Sequence, residues 1–470
     1  MGQVSNYQAL LSGYSWYQAD VVGRPVILTY SFETVAPAYF SSRDPQGAAT
    51  IQTLSESEKV VVREALAQWA SVSGVTFLET TRHQGDLTFA FYDFARLATP
   101  SDAGGLGYYP SSFAYAQNGI DQAYSGEALV GGDILFSASY RQSPVFMQDL
   151  EHLALHEIGH ALGLKHPFDV TMGHEETLTY SADNGHNTVM SYTAPRADHL
   201  GPLDIAAAQY LYGGPNADGS HLASFHWDPV AEQLTQVGTP GADLLRGTGA
   251  SDVIHSAGGK DVIYTAQGND YIVLIGQAAE VHGGTGLDTV VTGISVLDSS
   301  AVWNSGSFSG VRLSDGSTQS FLDVERLVFG DLTLAFDTGA GEHAGQIYRM
   351  YQAAFDRMPD TPGLTFNLAN YDDRGFTLKE MANFFVVSPE FASLYGANSN
   401  DATFVNAMYA NVLERGPDAG GLAYYLTRLG DGVWDRADVL AGFAESPENI
   451  ALVAPSTQNG ITLQSDLLLV

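Results

Sequence analysis

Between residues 243 and 270 aspartate returns at every ninth position, as Asp243, Asp252, Asp261 and Asp270, and it returns again two periods later as Asp288. Two residues after each aspartate stands an apolar side chain: Leu245, Ile254, Ile263, Ile272 and Val290. Val281 keeps the period where the aspartate is missing. Glycine density alone says little in a chain with 50 glycines among 470 residues. Two residue classes locked to one period of nine mark an internal repeat, and with it a turn-rich, stacked architecture for 238–290.

The sequence on either side has a different texture. Before the repeat, VILTYSF (26–32), VTFLET (75–80), LTFAFYDF (87–94) and DILFSASY (133–140) read as strands. LSESEKVVVREALAQWASVS (54–73) reads as an amphipathic helix with Val60, Val61, Ala65, Leu66, Trp69 and Ala70 on one face, capped by Ser55 or Ser57. A second helix starts near Gln148, and the stretch 98–132 reads as loop with a short edge strand near Leu106–Tyr109. Strand, helix, strands, helix is an α/β (α+β) pattern. After LYGGP (211–215) a polar linker leads into the repeats, which close in the β-rich VERLVFGDLTLAFD (324–337). Residues 346–452 carry a second repeat at offset 58, in which Arg357, Pro359, Asp360, Gly363 and Leu364 match Arg415, Pro417, Asp418, Gly421 and Leu422. Each copy has helical periodicity. The expected chain is multidomain: 1–215, 216–340 and 341–470.

Charge and cysteine usage narrow the chemistry. Lys+Arg number 20 against 53 Asp+Glu, a net charge of −33. Such a chain repels nucleic acid and anionic membranes and attracts divalent cations; a halophile's acidic surface is the alternative. With no cysteine, disulfides and thiolate metal sites are excluded, and any zinc must use His and carboxylate. No run of about 18 apolar residues suggests a membrane span. MGQVSNYQALLSGYSW lacks the basic and apolar regions of a cleaved signal peptide.

The densest chemistry lies in HEIGHALGLKHP, starting at His156. On a helix His156 and His160 share one face about 6 Å apart, so both imidazoles can point at one ion. Glu157, rotated by about 100°, reaches a water at that ion without being a ligand. Gly163 can take the left-handed conformation that ends the helix, letting His166 return as a third ligand. His152 extends the stripe, but it stands about 12 Å along the axis from His160 and reads as a supporting or surface residue. With about 5% usage per residue type, five fixed positions coincide by chance in roughly one chain in ten thousand of this length.

This motif resembles the metzincin zinc-peptidase signature, and the proline after the third histidine resembles the serralysin branch. NTVMSYTAP resembles that family's Met-turn, and LDIAAAQYLYG (203–213) its C-terminal helix. The resemblance covers 1–215 and implies a metzincin-like catalytic domain. His156, His160 and His166 would hold Zn2+, with Met190 flooring the site. Glu157 would serve as base to a zinc-bound water, and Tyr192 as ligand or oxyanion donor; a tyrosine merely packed under the site is the alternative for Tyr192. The substrate would be a protein or peptide, extended along the edge strand.

The nonapeptides resemble the calcium-binding G-G-x-G-x-D-x-U-x repeat of RTX proteins. HGGTGLDTV (282–290) carries it whole at Gly283, Gly284, Gly286 and Asp288, while the other copies are degraded. The resemblance implies a parallel β-roll that holds Ca2+ with Asp252, Asp261, Asp270 and Asp288 and with the carbonyls of glycines such as Gly259 and Gly268. A solenoid with solvated aspartates is the alternative. It also implies export: SDLLLV (465–470) resembles a type I secretion signal, so the secretion machinery is an expected partner. No propeptide is evident, which leaves a separate proteinaceous inhibitor or folding after export to control the enzyme. The α-helical C-terminal domain resembles a module found beside RTX repeats. The reading is a secreted, extracellular zinc endopeptidase. The alternative is a calcium-dependent surface or adhesion protein with a non-catalytic peptidase-like domain.

Overall fold

A computed structural model describes residues 2–17, 21–36, 48–81, 85–96, 103–110, 131–171, 173–215, 222–275, 278–304 and 307–464. The chain forms two compact units, Met1–Asp270 with His282–Gly286, and Tyr271–Val281 with Leu287–Val470.

The first unit is built on a five-stranded sheet. Its strands are β1 (Val26–Phe32), β2 (Val75–Glu79), β3 (Leu87–Tyr92), β4 (Gly105–Gly107) and β5 (Asp133–Ser137), in the order β2-β1-β3-β5-β4. All pairs are parallel except β4, which runs antiparallel to β5 with Leu106 opposite Leu135. A parallel strand covered on both faces reads as an unbroken apolar run, and every residue of β3, LTFAFY, is buried. Strands β3 and β5 stop short of the expected 94 and 140, each giving way to a single helical turn at Phe94–Arg96 and Ala138–Gln142. After β3, Asp93 Oδ1 accepts the Ala95 N–H, a local turn bond that competes with the ladder.

Helix α1 (Glu56–Val72) starts at Ser55, whose hydroxyl accepts from the Glu58 N–H while the Glu58 carboxylate accepts from the Ser55 N–H. Its inward face corrects the sequence expectation: Val62, Ala65, Leu66 and Trp69 are buried, whereas Val60 is 48% exposed. Three consecutive valines fan across about 200° of helix, so they cannot all face the core. Helix α2 (Phe146–Ala161) packs its Leu150, Ala154, Leu155 and Ile158 into the same core as Trp69, Phe89 and Phe136. Helix α3 (Pro202–Tyr212) closes this part.

Repeat strands follow in the same unit. Leu244–Arg246 pairs in parallel with Val262–Tyr264, and Asp252–His255 with Leu234–Val237. Partners lie 18 residues apart, so one coil holds two nonapeptides. Leu245, Ile254 and Ile263 are buried. Three polar contacts, buried or partly buried, tie these coils to the sheet and its flanks. Arg246 Nη2 meets Asp86 Oδ1 at 2.9 Å, and the other Asp86 oxygen accepts from Thr29 N and Oγ1 at 2.8 Å. Arg24 Nη1 donates to Leu244 O at 2.8 Å. Glu232 accepts from Thr80 Oγ1 and Thr81 N at 2.7 and 2.6 Å.

In the second unit Tyr271–Val273 pairs in parallel with Thr289–Val291, which pairs in parallel with Arg326–Val328. Thr333–Ala335 and then Ile461–Leu463 extend that sheet in antiparallel sense. Eight helices follow among the described residues: α4 (His343–Phe355), α5 (Thr361–Arg374), α6 (Leu378–Val386), α7 (Pro389–Tyr395), α8 (Asp401–Val412), α9 (Ala419–Gly430), α10 (Arg436–Ala444) and α11 (Pro447–Thr457). The offset-58 repeat is visible in side chains. Arg357 grips Glu390 and Arg415 grips Glu448, at 2.6 and 2.7 Å. The sequence read as a secretion signal, 465–470, lies outside the described residues, as does much of the 98–132 loop.

Candidate metal centre

Helix α2 carries the histidines and Gly163 ends it. Gly163 has φ +97°, and a Cβ there would stand 2.1 Å from Tyr14 O, so both conformation and space require glycine. The chain reverses, and Lys165 fastens the return: its N–H donates to Leu10 O, and its buried Nζ donates to Asp169 O and Glu176 O at 2.6 and 2.8 Å. This brings His166 back to the helix face.

The three Nε2 atoms converge. His156 Nε2 and His160 Nε2 each lie 3.1 Å from His166 Nε2. Each Nδ1 faces an acceptor: Val189 O at 2.8 Å for His156, Leu164 O at 2.7 Å for His160, and Asp169 Oδ2 at 2.7 Å for His166. Carbonyl and carboxylate oxygens cannot donate, so each Nδ1 carries a hydrogen, which leaves Nε2 as the ligating nitrogen of the neutral ring. Three lone pairs at this separation repel unless a cation sits among them. Nitrogens held about 2.0–2.1 Å from one tetrahedral ion stand about 3.3 Å apart, so the donor set fits Zn2+. Burial and neighbouring imidazoles push the pKa of His156 well below its ordinary value and that of His160 down to about 3, which keeps both neutral and able to ligate. Among the described residues this is the group of side chains whose ligand atoms gather closely enough to hold an ion.

The neighbouring residues take distinct places. Glu157 is buried, and burial pushes its carboxyl up to about 8. Strand β4 lies directly over it: a Cβ at Gly105 would come within 2.4 Å of Glu157 Oε1, and one at Gly107 within 2.5 Å of Glu157 O. Tyr192, 69% exposed, sets its hydroxyl 2.9 Å from His166 Nε2. Met190 is buried beneath, its Sδ so near Gly159 that a Cβ there would stand 2.6 Å away. His152 lies outside the trio, its Nδ1 turned to Ala197 O at 2.8 Å.

Two residues that sequence reasoning missed hold this arrangement. Asp169 orients His166. Asp204, fully buried at the start of α3, accepts from Thr188 Oγ1 at 2.5 Å and from Val189 N and Gly201 N at 2.8 Å each. It thereby fixes the Met190 turn and the carbonyl that orients His156. Only an acid in the first turn of a predicted helix hinted at it.

The calcium candidates form a ladder. Asp261 Oδ1 accepts the Asp243 N–H at 2.9 Å, and Asp270 Oδ1 the Asp252 N–H at 2.7 Å. Asp252, Asp261, Asp270 and Asp288 are all buried. Gly259, Gly268, Gly284 and Gly286 have positive φ, and a Cβ on Gly284 or Gly286 would stand 1.9 Å from Ala266 O or 1.8 Å from Gly268 O. The turns therefore stack carbonyl on glycine, with Gly283 O accepting from Thr265 Oγ1. Burial pushes Asp261 up to about 6, against the hydrogen bond from the Asp243 N–H. Buried carboxylates beside stacked carbonyls are an all-oxygen donor set, which suits Ca2+.

Residues 48–213 match the matrixin family model, 237–272 the RTX calcium-binding nonapeptide repeat (4 copies), and 382–453 a domain of unknown function, DUF4214. The chain is similar to metalloprotease AprA of Pseudomonas entomophila, 31% identical over 46% of this chain and 45% of the relative. It is also similar to serralysin B of Dickeya chrysanthemi, 31% identical over 42% and 41%, and to a serralysin of Photorhabdus laumondii, 29% identical over 43% and 42%. The chain thus spans less than half the length of these curated relatives. The three inward imidazoles fall within the stretch that matches the matrixin model, the aspartate ladder falls within the stretch that matches the RTX calcium-binding repeat, and the chain is similar to serralysins over less than half of their length.

Proposed function

We propose that the chain is a secreted zinc-dependent endopeptidase that hydrolyses peptide bonds of extracellular proteins. The observation that supports this most directly is the convergence of three imidazoles, with His156 Nε2 and His160 Nε2 each 3.1 Å from His166 Nε2, beside a buried carboxyl. His156, His160 and His166 would hold the ion; bound there, zinc polarises the scissile carbonyl and acidifies water. Glu157 takes a proton from the attacking water and passes it to the leaving amine, a role that its buried carboxyl beneath β4 is placed to play. Tyr192 donates its hydroxyl hydrogen to the oxygen that becomes negative as the carbonyl turns tetrahedral. Met190 floors the imidazoles. The substrate lies extended against β4, whose outer edge has no strand partner among the described residues.

Asp252, Asp261, Asp270 and Asp288, with Gly259, Gly268, Gly283, Gly284 and Gly286, would hold calcium in a parallel β-roll of the 216–340 region. That region follows a peptidase domain (1–215) and precedes a helical module (341–470). Folding only in calcium-rich surroundings fits export through a type I machinery, with a separate inhibitor as a second partner. The test is cleavage of an unfolded protein substrate in excess calcium, with and without a zinc-selective chelator, beside Glu157→Ala. Loss of activity to both is expected. A folded, zinc-loaded wild type that cleaves nothing would turn the reading to a calcium-dependent surface protein on a peptidase-like scaffold.

A further inference from the structure

The carboxylate ladder has a rung outside the repeats. Within the period, each rung joins an aspartate N–H to the carboxylate 18 residues on. In the second unit the Asp288 N–H donates to Glu325 Oε2 at 2.8 Å, although Glu325 lies 37 residues on. The strand register agrees. Thr289–Val291 pairs in parallel with Arg326–Val328, as Tyr271–Val273 pairs with Thr289–Val291. Leu327, two residues after Glu325, is buried like Ile272 and Val290, the apolar residues two after their aspartates. Residues 325–328 therefore occupy the place of one more coil. The extra chain between is spent on the antiparallel strands Ser299–Asn304, Ser307–Leu313 and Thr318–Leu322.

The next residue ties this coil to the helices. Arg326 donates its N–H to Asp288 O at 2.9 Å, and its buried guanidinium meets Asp337 and Asp372. Asp337 accepts the Ala344 N–H at 2.9 Å at the start of α4, and Asp372, on α5, accepts from His343 Nδ1 at 2.6 Å. One cation thus serves two carboxylates that organise the first two helices. Thr333–Ala335 continues the sheet to Ile461–Leu463, and Gln464 N donates to Thr365 Oγ1 on α5 at 2.8 Å.

We propose that residues 325–328 are a cryptic terminal coil of the repeat array, with Glu325 in the ladder position of the aspartates, and that Arg326 fastens α4 and α5 to it, so that calcium binding by the repeats also orders these helices. The proposal rests on the reading that the repeats bind calcium. Without the ion, buried carboxylates in stacked turns destabilise the coils. Strand Arg326–Val328 then loses its parallel partner, and Asp337 and Asp372 lose the cation that permits their burial.

Amide hydrogen exchange on the full chain, titrated with calcium and then chelated, tests this, because segments 252–273 and 343–374 report separately. In the wild type, chelation should accelerate exchange at least about tenfold in both. Arg326→Met should leave the calcium response of 252–273 in place while 343–374 exchanges freely even in calcium. Glu325→Gln should raise the calcium midpoint of 289–291 and 343–374 and leave that of 252–273 unchanged. A calcium response in 252–273 with none in 343–374 overturns the proposal alone. No response in 252–273 overturns the calcium reading and the proposal with it. Should Arg326→Met fail to fold, the wild-type titration and Glu325→Gln still decide.

Discussion

Asp204→Ala removes the acceptor shared by Thr188 Oγ1, Val189 N and Gly201 N. Both N–H groups donate to the same oxygen of this fully buried residue, so both lose their acceptor with the carboxylate. Each orphaned buried donor costs about 1–3 kcal/mol, so the two together cost about 2–6 kcal/mol. The damage should spread to the metal centre along a short path. Val189 supplies both one of those N–H groups and the carbonyl that orients His156. Loss of such an outer partner typically lowers metal affinity by about 10–100-fold. Asp204→Asn should be far milder. Its carbonyl oxygen can keep the two N–H bonds and its amide can donate to the Thr188 hydroxyl, so the cost should be about 1–2 kcal/mol. Urea unfolding in excess calcium measures the first quantity, and competition with a chromophoric zinc chelator measures the second. Wild-type zinc affinity in a folded Asp204→Ala protein would refute the argument that this carboxylate positions His156 through the Met190 turn.

Four further outcomes follow from the same geometry. Asp169→Asn exchanges the carboxylate facing His166 Nδ1 for an amide, and zinc affinity by chelator competition should fall about 10–100-fold. Gly105→Ala places a methyl 2.4 Å from Glu157 Oε1; peptide cleavage should fall about 100-fold while zinc content stays at one equivalent, and unchanged activity would show that β4 yields. Asp86→Asn leaves the Arg246 guanidinium buried without its countercharge, and chemical unfolding of the first unit should report a loss of about 3–5 kcal/mol. The hydrogen bond to Asp372 raises the pKa of His343 above its unfolded value of about 6.5. The folded state therefore binds this proton more tightly: the stabilisation is fully present below about pH 6.5 and is lost as pH rises through the folded pKa. His343→Gln should flatten the pH dependence of helix melting followed by circular dichroism.

What could be read in advance followed the range of the interactions. His156, Glu157, His160, Gly163 and His166 lie within one helix and its reversal, so helical spacing together with a glycine turn predicts that they meet. The apolar residues of the nonapeptides were legible for the same reason, since every coil repeats one local solution. Asp169 and Asp204 were not, because each works through a partner that a loop delivers. Glu325 escaped the period because 37 residues separate it from Asp288 instead of 18. The inward face of α1 was misjudged at Val60 because hydropathy cannot choose among three adjacent valines, and packing against the sheet selects Val62.

The polar contacts at Asp86, Arg24 and Glu232 bear on how such a chain can be cut and recombined. A breakpoint after the LYGGP stretch looks natural in the sequence, since composition changes there. A fragment ending at 215 would nonetheless strand the Asp86 carboxylate without Arg246, and Thr80 and Thr81 without Glu232. The smallest piece that keeps these partners includes the first coils, and the compact unit itself runs on to Asp270. Exchanging the 1–215 region between related proteins at the linker would thus transplant a sheet with its polar contacts mismatched. Exchanges made beyond the second coil would carry that surface along with its own complement.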